Sequence, residues 1–442
     1  MSQTILIHDN EDLKKLYSLN LKTYAGTDIV ERGNAADAIS LLAILPSIDL
    51  IITTNSIENE QTAVVLHKYL KENELEIPLI VLGDCPAISQ DTLCLKSPAD
   101  WEVLIKHAAK LLGITEEDVQ KKVKPNHVPI ALRYFYEIDH TPCDVYIRIK
   151  KGTGDFDYVK RLYAQDSFDS NDIDKYEAQG LKDFYIPKDY QQYFVNFVTN
   201  SLIQKLEISS LDIEDRLNVN SVGYDLVADH IENFGIDEGI QDLAKGSIKS
   251  MIATTKQAPK LASLLKMLLS SKISYAYQHA HLVCVIGNFI LSKQQWYKEK
   301  HLEIFATAAF FSDITLKSPE QIRINSDDDA KASKLEQAEL DHVNTHAADA
   351  AQLIVGTPLY TEYLFAVIQQ HQGSMDGIGF PEDPTEDIHP IARVFIVADY
   401  FVKLMLDPKA PKNKKDILSI IYARFTQDSY HKITKVLELK IN

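Results

Sequence analysis

Residues 371–381 read His-Gln-Gly-Ser-Met-Asp-Gly-Ile-Gly-Phe-Pro, which places a metal-ligand type of side chain, His371, directly before a short glycine-rich loop. Gly377 and Gly379 are free to adopt positive φ, and Pro381 fixes φ at the end of the loop, so the pattern predicts a rigid turn. A loop of this shape can present the aromatic ring of Phe380 at the mouth of a pocket. The stretch therefore indicates an active or ligand-binding site in the C-terminal part of the chain.

The overall composition is typical of a soluble globular protein that is large enough for several domains. The chain has 442 residues, of which 45% are hydrophobic and 25% are charged. Its 46 lysines and arginines against 63 aspartates and glutamates give a formal charge of −17. This charge repels phosphate backbones and argues against general nucleic-acid binding, whereas a local lysine cluster still permits a small anion such as a cyclic nucleotide.

The expected compartment is a reducing cytoplasm. The four cysteines show no C-x-x-C spacing, which argues against a disulfide framework or a zinc knuckle. The N-terminus lacks a basic segment followed by a long apolar core, and the apolar window 39–52 is interrupted by Pro46 and Asp49. We therefore expect neither a signal peptide nor a membrane span.

Short apolar runs alternate with amphipathic patterns over residues 1–115, which predicts a doubly wound α/β domain. Strands are expected at 4–8, 49–53 and 77–82, and helices at 11–19, 34–45, 58–73 and 99–112. With Lys96-Ser97-Pro98 before the last helix, this order resembles the receiver domain of two-component systems.

The resemblance to a receiver implies an acidic pair that holds magnesium after the first strand and an acceptor aspartate after the third. Asp9 and Asn10 stand at the pair, and Thr54 stands at the acceptor position, where a hydroxyl is a far poorer phosphate acceptor than a carboxylate. Gly83 lies where a hydroxyl residue belongs, and only Lys96 matches. We interpret residues 1–115 as the pseudo-receiver of a response regulator; a plain doubly wound module kept for dimerisation predicts the same residues.

The central part of the chain divides into three predicted segments. Residues 116–127 are a charged linker, residues 128–193 are a small α+β domain, and residues 194–248 are connecting helices, with heptad-like spacing over 194–217 that could form a dimer seam. The acidic run 326–329, further on, predicts a surface loop and helix N-cap. Tyrosines crowd the α+β segment, and we expect them to pack rather than to line a ligand pocket. They are Tyr134, Tyr136, Tyr146, Tyr158, Tyr163, Tyr176, Tyr185 and Tyr190.

The loop at 371–381 resembles the signature HHExxDGxGYP of the HD-GYP phosphodiesterases. His371 matches the first histidine, and Asp376, Gly377, Gly379 and Pro381 match the turn. The other ligand positions of the family follow in order at His279, Asp313, His346 and Asp399. Residues 249–442 thus resemble an all-α HD-type helical domain, for which the family implies two or three divalent ions, iron or manganese, that activate water against cyclic di-GMP.

Several positions depart from the family pattern. They are Tyr275 for the glutamate of three-metal members, Ser312 for the histidine of the His-Asp pair, Leu316 for a lysine, Gln372 and Gly373 for the second histidine and the glutamate, and Phe380 for the tyrosine. Lys317 is expected to point elsewhere, and His342 is a replacement ligand or, as we favour, a solvent-facing residue. The lysines of 407–415 stand near the family's basic patch without a clear arginine match. The losses predict one divalent metal, iron or manganese, or none, and strongly depressed catalysis.

Three functions stay open at this level. The favoured one is a signalling protein with little or no catalysis that senses cyclic di-GMP or a metal, or binds a protein partner such as a diguanylate cyclase domain. The second is a metal-dependent cyclic di-GMP phosphodiesterase with an altered ligand set, and the third is a structural homodimeric adaptor with an empty pocket. Replacing Ser312 and Gln372 by histidine discriminates between the first two.

Overall fold

The chain forms two compact units, Met1–Phe194 and Val195–Asn442. The structure is a computed structural model that describes residues 2–439 except 44–47, 59, 97–100, 115–126, 151–155, 209, 258–259, 383–386 and 412. The predicted linker up to residue 126, the predicted turn at 151–154, and residues 97 and 98 lie outside the described residues. No helix in the described part is long and apolar enough to cross a membrane.

The N-terminal sheet has five parallel strands in the order β2-β1-β3-β4-β5. The strands are β1 (Ser2–Ile7), β2 (Thr27–Arg32), β3 (Leu50–Thr54), β4 (Leu79–Leu82) and β5 (Leu93–Leu95). The helices of this part are α1 (Glu11–Asn20), α2 (Ala35–Leu42), α3 (Thr62–Glu72) and α4 (Trp101–Leu111). Because β3 and β4 are buried along their whole length, they read as continuous apolar runs in the sequence. The predicted parallel α/β sheet is therefore present.

The sequence pattern did not predict two strands of this sheet, β2 and β5, or the N-cap of helix α1. Strand β2 is a sheet edge with charged, partly exposed positions, and β5 has only 3 residues. Residues 83–92, all of them described, form turns between β4 and β5 instead of the helix that a receiver has there. Asn10 is the N-cap of α1, where its side chain accepts the backbone N–H groups of Asp12 and Leu13 at 3.0 Å. Thr54 ends β3 as a buried side chain, so the pseudo-receiver interpretation stays a prediction.

The second sheet of the N-terminal unit is antiparallel, with the order β6-β9-β7-β8. Its strands are β6 (His127–Ala131), β7 (Val145–Lys150), β8 (Phe156–Leu162) and β9 (Asp183–Pro187), and helix α5 (Ser170–Ala178) precedes β9. The tyrosines of this region pack: Tyr134, Tyr185 and Tyr190 are buried, and the ring of Tyr158 stacks on that of His127. Tyr163, by contrast, is 52% exposed.

The C-terminal unit is helical throughout its described residues. After α6 (Gln191–Glu207), its helices are α7 (Ile213–Phe234), α8 (Glu238–Gln257), α9 (Leu261–Ser270), α10 (Tyr275–Leu291), α11 (Glu299–Phe311), α12 (Pro319–Ile322), α13 (Asp327–Ala332), α14 (Gln337–Leu353), α15 (Glu362–Gln369), α16 (Pro390–Leu406), α17 (Lys414–Arg424) and α18 (Asp428–Thr434).

Two local predictions in this unit are wrong. The heptad-like spacing over 194–217 does not form one helix, because Asp212 caps α7 by accepting the N–H of Asp215 and so starts a new helix. This break removes the basis for a continuous dimer seam. For the run 326–329, the predicted N-cap is confirmed at Ser326, but the predicted loop is wrong: the three aspartates fill the first turn of α13, where negative charge is favourable.

Helix α10 is buried on nearly all sides and lies against α11 and α16. A helix that is buried on all sides carries apolar residues all round, and most residues of α10 are apolar. Gly287 allows the closest approach, since a Cβ built at this position would lie 2.0 Å from Cζ of Phe305 on α11. The ring of Phe305 in turn contacts that of Phe395 on α16, with centroids 5.1 Å apart. This packing sets three helices of the candidate site against one another.

The glycine-rich loop has the predicted backbone but a different side-chain arrangement. Gly377 and Gly379 have φ of 79° and 73°, and the N–H of Gly379 donates to the carbonyl of Asn344 at 2.9 Å. A Cβ on Gly377 would lie 2.8 Å from the backbone nitrogen of Ala348, so the loop sits directly on α14. The exposed apolar residues of the loop are Met375, at 47%, and Ile378, at 51%.

Phe380, which we expected at the mouth of a pocket, instead packs against a core cluster. The buried members of that cluster are Leu316, Ile322, Ile324 and Val343. Leu316, at the family's lysine position, therefore serves packing. The expectation for Phe380 is wrong because the direction of its ring depends on this apolar surface, which the sequence pattern of the loop does not reveal.

Candidate metal centre

His346 on α14 and His371 in the turn after α15 face each other through their Nε2 atoms, which lie 3.2 Å apart. The Nδ1 atom of His346 lies 2.6 Å from the carbonyl of Val343, and that of His371 lies 2.7 Å from the carbonyl of Ile368. Because a carbonyl only accepts, each Nδ1 carries a hydrogen, and the Nε2 atom of each ring faces the centre. Burial, together with the neighbouring His346, lowers the pKa of His371 to about 4, so its ring is neutral near pH 7.

Asp313, in the turn after α11, stands beside this histidine pair. Its Oδ1 atom lies 3.3 Å from Nε2 of His346 and 3.9 Å from Nε2 of His371. This oxygen is buried and has no hydrogen-bond partner among the described residues. Burial opposes ionisation, but contacts with His279 and His346 hold the pKa of the Asp313 carboxyl well below its usual range. A buried carboxylate oxygen and two imidazole nitrogens thus converge on one point, where all three could ligate a cation.

His279 on α10 joins Asp313 to Asp399 on α16. Its Nδ1 lies 3.0 Å from Oδ2 of Asp313, and its Nε2 lies 3.0 Å from Oδ1 of Asp399. Neither ring nitrogen has hydrogen-bond geometry to a described residue. Burial lowers the pKa of His279, but the two carboxylates outweigh it and raise that pKa above its usual value.

Two groups of potential ligands result, and they share one carboxylate. Asp313, His346 and His371 form the first group, and His279, Asp313 and Asp399 form the second; within each, ligand atoms lie within 4.8 Å of one another and all three residues are buried. Imidazole nitrogen and carboxylate oxygen suit divalent iron, manganese or zinc, so the donors present fit such an ion. The structure brings all five sequence-predicted ligands together from five helices and the turns that follow them.

A comparison with known protein families gives a match within the helical unit. The family described as HD domain matches residues 263–427. The helical unit therefore contains an HD-type domain. Among solved structures, Bd1817, a HDG"Y"P protein from Bdellovibrio bacteriovorus, matches 71% of this chain and 100% of its own chain at 16% identity, with a TM-score of 0.46. A likeness of that degree carries no argument about function. No curated protein matches the chain.

The HD-type domain holds one buried charge that the sequence reading missed. Lys403 lies one turn after Asp399 on α16, with Nζ 3.1 Å from Oδ2 of Asp399 and 3.4 Å from the carbonyl of Ile324. Its side chain is only 4% exposed. Burial lowers the pKa of Lys403, but Asp399 and Asp313 more than offset this and raise it. The i,i+4 spacing of an aspartate and a lysine in an otherwise apolar helix is the signal that could have found it.

Gln372 and Gly373 have specific places at the edge of the centre. Nε2 of Gln372 lies 3.2 Å from Nε2 of His346, while its Oε1 is buried without a hydrogen-bond partner among the described residues. Because the two ends of an amide are interchangeable in such a network, rotation of the side chain would turn Oε1 toward the histidines. Gly373 has φ of 95°, so its backbone is unsuited to the glutamate of the family signature.

The remaining predicted positions of the HD-type domain lie around the centre or away from it. The ring of Tyr275 stacks parallel to that of His279 with centroids 6.4 Å apart. The hydroxyl of Ser312 is buried near the carbonyl of Ala309, at 3.5 Å. His342 belongs to neither ligand group: its Nε2 lies 2.9 Å from the carbonyl of Thr315, and its side chain is 33% exposed.

The lysines expected near the centre point elsewhere. Lys317 pairs with Glu232 and so points away from the centre, as expected. In the segment 407–415, Lys414 donates to the carbonyls of Glu438 and Leu439. The ammonium group at the centre is therefore that of Lys403.

Proposed function

We propose that the C-terminal unit is a divalent-metal-binding HD-type module of a signalling protein, with iron or manganese as its ion and with little phosphodiesterase activity. The observation that carries this proposal is the convergence of two buried imidazole nitrogens and a buried carboxylate oxygen at His346, His371 and Asp313. Cyclic di-GMP is the proposed signal, and a diguanylate cyclase domain is the proposed type of protein partner. An ion at these residues would supply positive charge for a bound phosphate and a polarised water.

The proposed loss of activity rests on Ser312 and Gln372. The serine hydroxyl contacts a helical carbonyl, and it is a weak ligand where imidazole would be a strong one. Gln372 contributes an amide in place of a second imidazole. A centre with fewer strong ligands holds its ions less firmly and stabilises the charge of the transition state less well.

A second candidate function is a phosphodiesterase with an altered ligand set. The specific observation in its favour is the buried, unpartnered Oε1 of Gln372 beside His346. Amide oxygens can ligate hard divalent ions, so this residue can complete a ligand set without imidazole.

The test combines metal analysis with a hydrolysis assay on the purified full chain. The metal content is measured after incubation with Mn²⁺ or Fe²⁺, and hydrolysis of cyclic di-GMP is followed by separation of the products. His346→Ala should lose the metal, whereas the matched control His342→Ala, a histidine one turn earlier on α14, should keep it. Ser312→His combined with Gln372→His should raise turnover well above that of the unaltered chain.

Each outcome decides one part of the proposal. Folded protein that binds neither ion contradicts the metal site. Fast turnover by the unaltered chain contradicts the loss of activity and favours the second candidate. Titration with cyclic di-GMP of the metal-loaded chain then tests the proposed signal, since saturable binding without product would support a sensor.

A further inference from the structure

The two ligand groups of the centre differ in how their charges are balanced. Both oxygens of Asp399 already have partners: Oδ1 faces His279 Nε2 at 3.0 Å, and Oδ2 faces Lys403 Nζ at 3.1 Å. In the group of Asp313, His346 and His371, by contrast, Oδ1 of Asp313 has no hydrogen-bond partner among the described residues and lies beside two imidazole nitrogens. The ammonium of Lys403 thus supplies a positive charge to the half of the centre that contains Asp399. The half formed by Asp313, His346 and His371 has no such ammonium among the described residues.

The ammonium group of Lys403 is held in place by more than one contact. Its carbon stem lies on α16 among buried residues, and its Nζ also donates to the carbonyl of Ile324. Leaving Asp399 would strand the ammonium in a buried site, which is strongly unfavourable. We therefore expect Lys403 to stay on Asp399 when an ion binds nearby.

The pairing of the charges favours a single ion. Asp399 and Lys403 already form an ion pair, whereas Oδ1 of Asp313 has no hydrogen-bond partner among the described residues. A second divalent ion would have to share Asp399 with the ammonium of Lys403 and the ring of His279. At such short separations the repulsion between buried like charges is strong.

We propose that Lys403 takes the place of a second metal ion, so that this centre binds one divalent ion at Asp313, His346 and His371 while the half formed by His279 and Asp399 stays metal-free. This inference rests on the proposed metal-binding function and specifies the number and position of the ions.

The test is the metal stoichiometry of the full chain with MnCl₂ as the probe. Calorimetric titration and elemental analysis give the number of ions, and the electron paramagnetic resonance spectrum separates isolated Mn²⁺ from a spin-coupled pair. The unaltered chain should bind one equivalent as isolated Mn²⁺. Lys403→Met should bind a second equivalent, at least tenfold more tightly than any second ion on the unaltered chain, with a spin-coupled spectrum.

Three further variants keep the test independent of how well Lys403→Met folds. Lys403→Arg retains a positive charge and should stay at one equivalent, as should the control Lys317→Met, which removes a lysine paired with Glu232 outside the centre. Asp399→Asn should also keep one equivalent, because the ion is assigned to the other half.

The outcomes separate this inference from the proposed function. Two tightly bound, spin-coupled ions in the unaltered chain would overturn the role of Lys403 and leave the metal-binding function standing. A loss of the single ion in Asp399→Asn would overturn the assigned position. Absence of any bound Mn²⁺ from folded, unaltered protein would instead overturn the proposed function, and this inference with it.

Discussion

Metal binding should stabilise the helical unit in a way that depends on His371. At a free ion concentration of 100 times the dissociation constant, a single site adds about 2.7 kcal/mol to the free energy of unfolding. For a unit of the length of Val195–Asn442, each kcal/mol raises the melting temperature by about 2–4 °C. The expected rise on addition of Mn²⁺ is therefore about 5–11 °C, for a transition assigned to this unit.

The variant His371→Leu should abolish that rise with little effect on the metal-free protein. The change removes the donor bond to the carbonyl of Ile368, a loss of about 1 kcal/mol. It also removes a buried polar ring that faces His346 at 3.2 Å, and burial of such a polar group costs about 1–3 kcal/mol. These effects have opposite signs, so the melting temperature without metal should change by only a few degrees.

The assay is thermal unfolding followed by circular dichroism, in EDTA and in MnCl₂, for the unaltered chain, His371→Leu and His342→Leu. The matched control His342 lies on the same helix as His346 but outside both ligand groups, so His342→Leu should keep the full metal-dependent rise. An equal rise in His371→Leu and in the unaltered chain would refute the assignment of the ion to the histidine pair.

Three other perturbations test the packing and the electrostatics of the two units. Gly377→Ala should destabilise the helical unit by about 2–5 kcal/mol, because the strain of a left-handed backbone adds to a steric clash. The control Gly356→Ala, at a φ of 80° with no atom within 4 Å of the new Cβ, should show the strain alone, so equal losses of stability in urea unfolding would contradict the clash. Gly287→Ala should lower the free energy of unfolding by about 1–3 kcal/mol or more, and adding Phe305→Leu to that variant should recover part of the loss. If the losses of the two single variants simply add in the double variant, as measured by urea unfolding, their contact is contradicted. Burial lowers the pKa of His8 in the folded state, so the unfolded chain binds more protons. The contribution of His8 to the stability of the N-terminal unit is therefore complete above about pH 6.5 and should fall as the pH decreases. His8→Asn should flatten this pH dependence between pH 7 and 5 in urea unfolding, and an unchanged slope would contradict the assignment to His8.

Much of the fold could be predicted because it is encoded in short-range patterns. The apolar runs of β3 and β4 and the amphipathic pattern of α1 indicate a parallel α/β sheet. Strand β5 has only 3 residues and carries no readable period. The break before α7 comes from one capping aspartate, which outweighs an apolar spacing that continues across it.

For the site, the order of ligand-type residues along the chain was sufficient to nominate all five members. Their types are chemically distinctive, and each lies on or beside a helix whose apolar pattern predicts burial. The sequence did not show that the two ligand groups share one carboxylate, that of Asp313. It depends on how α10, α11, α14 and α16 pack, with Gly287 allowing the close approach of Phe305.

The sequence by itself determined the residue types at the centre, the left-handed turns of the glycine loop and the class of each unit. These features depend on local sterics and hydrogen bonds, which act over a few residues. Only the tertiary structure decided that Lys403, and not a lysine of 407–415, reaches Asp399, and that Phe380 turns into the core. The reason is that the direction and burial of a side chain are set by the helices packed against it, which come from distant parts of the chain.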